Sequence, residues 1–219
     1  MISTFPVKSG GGNFASSNRY NRNNRKTHAG QKLTIKNRKH MEATRTKWAI
    51  DPYHTEIGFK VKHLVISTVT GKFEKFDGSV LTRGDDWNDA VVEFSAETGS
   101  INTGVGDRDN HLKSADFFDA ANHPKLTFKS TSFTKTGTDE FLMKGDMTIR
   151  GTTHPLELKV EFGGVTTDPY GNIKAGFEIS GKLNRKEFGL HWNAITEAGG
   201  MVVADEIKLA LNVELAKVQ

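Results

Sequence analysis

From Trp48 to Leu215 apolar and polar side chains alternate with a period of two, over segment after segment. Ile57, Phe59 and Val61 alternate with Glu56, Lys60 and Lys62. The same rhythm runs through Val92, Phe94 and Ala96, and through Phe141, Met143, Met147 and Ile149. It continues in Leu156, Leu158, Val160 and Phe162, then in Ile173, Ala175, Phe177, Ile179 and Leu183. Ile207, Leu209, Leu211, Val213 and Leu215 close the series. With Lys47–Ile50, Gly71–Thr82 and Lys125–Phe133 this predicts eight or nine strands, each with one apolar face.

Such strands, without a layer of helices to cover them, must close on themselves or pack on a second sheet. Turn signals separate them at Asp168-Pro-Tyr-Gly171, Thr136-Gly-Thr-Asp139 and Gly84 through Asn88. Several strands run to roughly ten residues, longer than usual, and short turns join them. That favours an all-β fold, an up-and-down barrel of about eight antiparallel strands, wide enough to hold one elongated ligand. The Phe-rich aromatic set (14 Phe, 3 Tyr, 3 Trp) suits an apolar interior.

Two stretches break the alternation. In Asp107–Phe128, Asp107 is a plausible N-cap for a helix over Arg108 to about Ser114, which would present Leu112, Phe117 and Phe118 to one side. Asn184–Met201, with Phe188, His191 and Trp192, reads as a long loop at one barrel end.

The first 40 residues hold nine basic and no acidic side chains. That leaves 21 of the chain's 30 Lys and Arg against all 26 Asp and Glu, a net of −5 for the remainder. Residues 1–46 read as a disordered basic leader, low in apolar residues, ahead of a mildly acidic domain at 47–219. The domain offers no electrostatic case for nucleic acid. No apolar run follows Met1 or Met41 as a secretion signal would require, so a cytoplasmic protein is expected; no transmembrane helix and no stable membrane insertion are expected either.

With no Cys, thiolate catalysis and Cys-ligated zinc are excluded. Neither HExxH, GxSxG nor GxxxxGK[ST] occurs. Asp107 and His111 stand four apart, so a carboxylate-oriented base is geometrically feasible, with Asp109 beside it. A metal there would need His54, His63, His123 or His191 brought in by folding. The stronger reading is structural: acidic residues favour the first turn of a helix, and Arg108 can pair with them. No catalytic residue, metal or cofactor is assigned.

A resemblance rests on residues spread in order through nearly all of 47–216. They are Trp48-Ala-Ile-Asp51, His54-Thr-Glu-Ile-Gly-Phe59, Val61-Lys-His-Leu64, Val69-Thr-Gly-Lys-Phe73 and Ser100-Ile-Asn-Thr103. Arg108-Asp-Asn-His-Leu-Lys113, Asp116-Phe-Phe-Asp119, His123-Pro-Lys-Leu-Thr-Phe128, Thr148-Ile-Arg-Gly-Thr-Thr153 and Leu183-Asn-Arg-Lys-Glu-Phe-Gly189 follow. In these the domain resembles the YceI-like family of lipid-binding, lipocalin-like barrels. The resemblance implies an extended eight-stranded barrel with a polyisoprenoid, fatty acyl or amide chain in its bore. It also implies a helical insertion that packs against the barrel rather than catalysing. Many members of the family are periplasmic, which is the alternative compartment.

The expected function is therefore non-enzymatic binding, carriage or sequestration of a long apolar chain. Phe59, Val61, Phe94, Leu112, Phe117, Phe118, Phe128, Met143, Met147, Leu158, Phe177, Ile179, Phe188 and Trp192 are the expected wall. Arg108, His111 and Arg185 are the headgroup candidates. Two rivals stand beside this reading: a filled barrel that serves as a protein-interaction or stress-response module, and an enzyme acting on a lipid or quinone. A closed barrel leaves no edge that forces pairing, although small barrels do pair as homodimers.

Overall fold

The computed structural model describes residues 45–194 and 202–218. The expected leader, 1–46, lies almost wholly outside these residues; the first strand begins at Arg45. The strands are β1 (Arg45–Ile50), β2 (Glu56–His63), β3 (Ser67–Phe73), β4 (Phe76–Arg83), β5 (Asp86–Glu97) and β6 (Ile101–Asn102). Among the described residues one α-helix, α1 (Gly106–Lys113), precedes β7 (Lys125–Lys135), β8 (Glu140–Ile149), β9 (Thr152–Thr167), β10 (Ile173–Asn184) and β11 (Val203–Lys217).

The registers reduce these eleven segments to eight staves. β1 and β2 both run antiparallel along β11, with Ile50 opposite Leu215 and Glu56 opposite Asn212, so they form one stave bulged at Asp51–Thr55. β3 and β4 together follow that stave, broken at Glu74 and Lys75. β5 and β6 follow the second, broken by a short 3-10 turn at Thr98–Ser100. β7 to β11 are the other five, each beside its neighbour in sequence. The pairing of β11 with the first stave closes an eight-stranded antiparallel up-and-down barrel.

Alternation gives this barrel its inside and outside. In β8, Phe141, Met143, Gly145, Met147 and Ile149 are all buried, while Lys144 and Asp146 face out. Outward faces that carry Lys, Glu and Thr are the reverse of the apolar belt of a membrane-spanning barrel. Among the described residues no helix is long and apolar enough to cross a membrane.

Two irregularities shift the rhythm. Asp89, with φ 61°, lets both Trp87 and Ala90 point inward, so the stretch expected as a turn through Asn88 is already strand from Asp86. A register shift between Ser130 and Ser132 does the same for Phe128 and Phe133, and the Ser130 hydroxyl accepts the Val92 N–H at 2.8 Å.

Candidate functional site

The bore contains a cavity of ≈ 500 Å³. One end of the bore is stopped by aromatic rings. Trp48 of the first stave packs on Trp87 of the third at 5.0 Å between ring centres. Trp87 then meets Phe177 at 4.8 Å and Phe162 at 5.7 Å, rings carried by β10 and β9 on other sides of the barrel. Rings from four staves that meet in the lumen make a floor. Trp48 is 2% exposed, and its indole N–H donates to the Thr82 hydroxyl at 3.1 Å, so its one polar atom is satisfied.

Above the floor the wall stays thin because of glycine. Gly71 and Gly145 face inward, and a Cβ at either position would run into the ring of Phe59 or Phe128 respectively. Each ring therefore lies down against the neighbouring stave instead of projecting into the bore.

The other end is built from α1, the chain at 185–194 and the start of β11. The helix begins at Gly106 with Val105 as its N-cap, so Asp107 sits in the first turn and is not the cap. Asp109 takes the tethering role: its carboxylate accepts the N–H (2.9 Å) and hydroxyl (2.5 Å) of Thr103. Arg108 donates to the same hydroxyl through Nε at 2.7 Å and to the Thr103 carbonyl through Nη2 at 2.9 Å. Its Nη1 has no partner among the described residues. The Asp107–His111 pair that their spacing makes feasible is not formed: His111 pairs with Asp116 instead. His111 Nε2 lies 2.9 Å from Asp116, and the imidazole stands edge-on to Phe117 (5.1 Å) and Trp192 (4.7 Å).

Arg185 is 3% exposed and fully committed. Its five N–H groups reach the carbonyls of Ala204, Leu190, Trp192 and Val203 and the carboxylate of Asp205, at 2.6–3.4 Å. A guanidinium has five donors, so none is left for a ligand, and Arg185 braces the mouth instead. Burial lowers its pKa, partly offset by Asp205. Arg150 is a second brace. It sits with Gly151 in the tight β8–β9 turn, at φ 50° and 75°, and donates from Nη1 to the carbonyls of Phe117 (3.0 Å) and Gly189 (3.2 Å).

All 14 expected wall residues, Phe59, Val61, Phe94, Leu112, Phe117, Phe118, Phe128, Met143, Met147, Leu158, Phe177, Ile179, Phe188 and Trp192, border the cavity, as do Arg108, His111 and Arg185. Trp87 and Phe73 also border it without being among the expected wall residues, and Arg150 braces the mouth without having been a site candidate. Trp87 stood inside an expected turn, and Arg150 acts through carbonyls that no local pattern marks.

A separate polar cluster lies by the bulge of the first stave. Asp51, His54 and Glu214 converge there, but Lys174 hydrogen-bonds both carboxylates (2.5 and 3.1 Å) and so supplies positive charge. His63, His123 and His191 are not among these groups. Burial opposes the Asp51 charge, yet the hydrogen bonds from Lys174 and His54 outweigh it and hold its carboxyl well below the usual range. The Asp51 hydrogen bond and the Glu214 charge raise the pKa of His54. The Asp51 hydrogen bond likewise raises that of Lys174.

Fold and cavity together define a small antiparallel barrel that encloses an apolar space behind one helix. The chain belongs to the YceI-like domain family, which it matches over residues 48–215. It is 36% identical over 172 residues to a UPF0312 protein of Staphylococcus epidermidis, covering 78% of this chain and 98% of that one. The Campylobacter jejuni YCEI protein has a similar structure (TM-score 0.61, 32% identity, 77% of this chain and 96% of that chain). A polyisoprenoid binding domain from Saccharophagus degradans shares the fold (TM-score 0.57) at 10% identity, over 78% of this chain and 98% of that chain.

Proposed function

We propose that the bore holds one long apolar chain, a polyisoprenoid, fatty acid or fatty amide, and that the protein carries or sequesters it without chemical change. The observation behind this reading is the ≈ 500 Å³ cavity, bordered mainly by apolar side chains between an aromatic floor and a polar mouth. Ligand pockets commonly span about 300–1,000 Å³ and combine such walls with a few placed polar groups. Each methylene moved out of water contributes up to about 0.8 kcal/mol before ordering costs are deducted. The fold also serves a domain described as polyisoprenoid binding.

At the mouth, Arg108 keeps one guanidinium nitrogen uncommitted among the described residues, and His111 lies within the same wall. These two are the proposed head contacts, and Arg185 is their support. Arg108→Gln should weaken a carboxylate-headed chain about tenfold and leave a headless hydrocarbon unchanged, as loss of one charge-assisted hydrogen bond requires.

Extraction of the purified protein into organic solvent, followed by mass spectrometry, tests the proposal. Recovery of a long-chain lipid, or saturable one-to-one uptake of a fluorescent prenyl or fatty-acyl probe, is expected. Recovery of no lipid, together with no uptake of either probe, would refute it. Chemical conversion of the bound chain, abolished by His111→Ala with uptake intact, would establish an enzyme instead.

A further inference from the structure

The turn between β2 and β3 puts three apolar side chains in water. Val65 is 81% and Ile66 86% exposed, with Leu64 beside them at 38%. Leu64 and Val65 have φ of 51° and 65°, a region a β-branched residue such as Val rarely enters. The turn is held from both sides: the Ser67 hydroxyl donates to the His63 carbonyl at 3.1 Å, and the Leu64 N–H donates to the Val202 carbonyl at 3.0 Å. Lys62, His63, Val202 and Val203 border the cavity, so the tip stands at its rim.

We propose that this tip is a membrane-docking element, which dips into a bilayer so that the bore can receive a chain from it. The inference rests on the apolar-chain reading above and adds where the chain enters. Two observations favour a lipid surface over a protein partner. A stable protein interface engages about 20–30 residues a side, and three side chains on a convex turn fall far short of that. The hairpin from Phe59 to Thr70 also carries Lys60, Lys62 and His63 and no carboxylate. Basic groups beside a short apolar tip match an anionic lipid headgroup layer, with lysines at headgroup level and Val65 and Ile66 below it. The opposite end has exposed side chains too, such as Tyr170 at 90%, but they stand on the floor side of the barrel, where no chain can enter.

The full chain has no cysteine, so Ile66→Cys can carry a single environment-sensitive fluorophore, with Tyr170→Cys as its counterpart at the floor end. Vesicles of phosphatidylcholine with one-fifth phosphatidylglycerol should brighten and blue-shift the label at position 66 and leave that at 170 unchanged. In the unlabelled Val65→Ser/Ile66→Ser variant, transfer of a fluorescent fatty-acyl probe from those vesicles should slow about tenfold or more, the scale of one lost apolar side chain. Uptake of the same probe from dilute aqueous solution should match wild type. Equal responses at both labels, or an unchanged transfer rate, would overturn the proposal. A label response that tracks protein concentration without vesicles would also overturn it and mark the tip as a contact between copies. If wild type takes up no probe from either source, it is the apolar-chain reading that fails.

Discussion

The two ends of the bore are built by different physics. At the floor, Trp48, Trp87, Phe162 and Phe177 meet ring on ring, held by burial and packing. At the mouth, Arg108 fastens α1 to the Thr103 carbonyl, Arg150 links the carbonyls of Phe117 and Gly189, and Arg185 ties those of Leu190 and Trp192 to the start of β11. Packing is dense and unforgiving of a lost ring; a brace of hydrogen bonds sets position while leaving space beneath it. One end can therefore anchor the fold while the other keeps an opening.

The comparison can be broken most forcefully at the floor. Trp87→Ala removes the ring that joins three others and should cost about 3–5 kcal/mol, read from urea denaturation. A loss below about 1 kcal/mol would show that the floor does not anchor the barrel. At the mouth, Arg185→Met keeps much of the side-chain volume but takes the side-chain donor from the carbonyls of Ala204, Leu190 and Trp192, while Val203 keeps Asn193 and Asp205 keeps Lys186. A loss of about 2–3 kcal/mol is expected, with faster hydrogen exchange confined to the 185–194 region and the start of β11. Exchange that rises equally at the floor would mean that the two ends do not respond separately.

Between the ends, Gly71→Ala forces the Phe59 ring off the wall and into the bore. Overpacking should destabilise by about 1–3 kcal/mol, with a fall in probe affinity that Arg185→Met does not match. The smallest effect concerns the cluster outside the bore. The folded pKa of Asp51 is depressed, so its contribution is present above the ordinary carboxylate pKa of about 4 and is lost as pH falls through the folded value. The folded pKa of His54 is raised, so its contribution is complete below about 6.5 and is lost as pH rises through the folded value. Asp51→Asn should flatten both flanks of the profile of urea midpoint against pH; an unchanged profile would show that the cluster does not set it.

The same contrast explains what the sequence could show. Period two reveals which side chains face in, so Phe59, Met143 and Phe177 were legible as wall from alternation alone, and the barrel followed from it. Trp87 was not, because the strand bulges around Asp89, at positive φ, and reverses the parity on which the reading depends. At the mouth the helix and the loop were legible, but not the contacts that hold them. That Asp109 rather than Asp107 secures α1, and that Asp116 rather than Asp107 holds His111, depends on where the chain turns after Asn102 and after Ser114. Arg185 was visible as a charge near one end, but its five partners come from a loop and from a strand that starts 18 residues later.

The central claim, an open bore filled by a chain from the mouth down to the floor, can be read from tryptophan quenching. Trp192 borders the cavity at the mouth and Trp87 at the floor, so each can be isolated by Trp→Phe replacement of the other two. Fatty chains brominated near the head or at the tail are then titrated into each variant. Bromine at the tail should quench Trp87 more strongly, and bromine near the head should quench Trp192. Saturable binding that leaves Trp87 unquenched by any chain would place the ligand outside the bore and contradict the account.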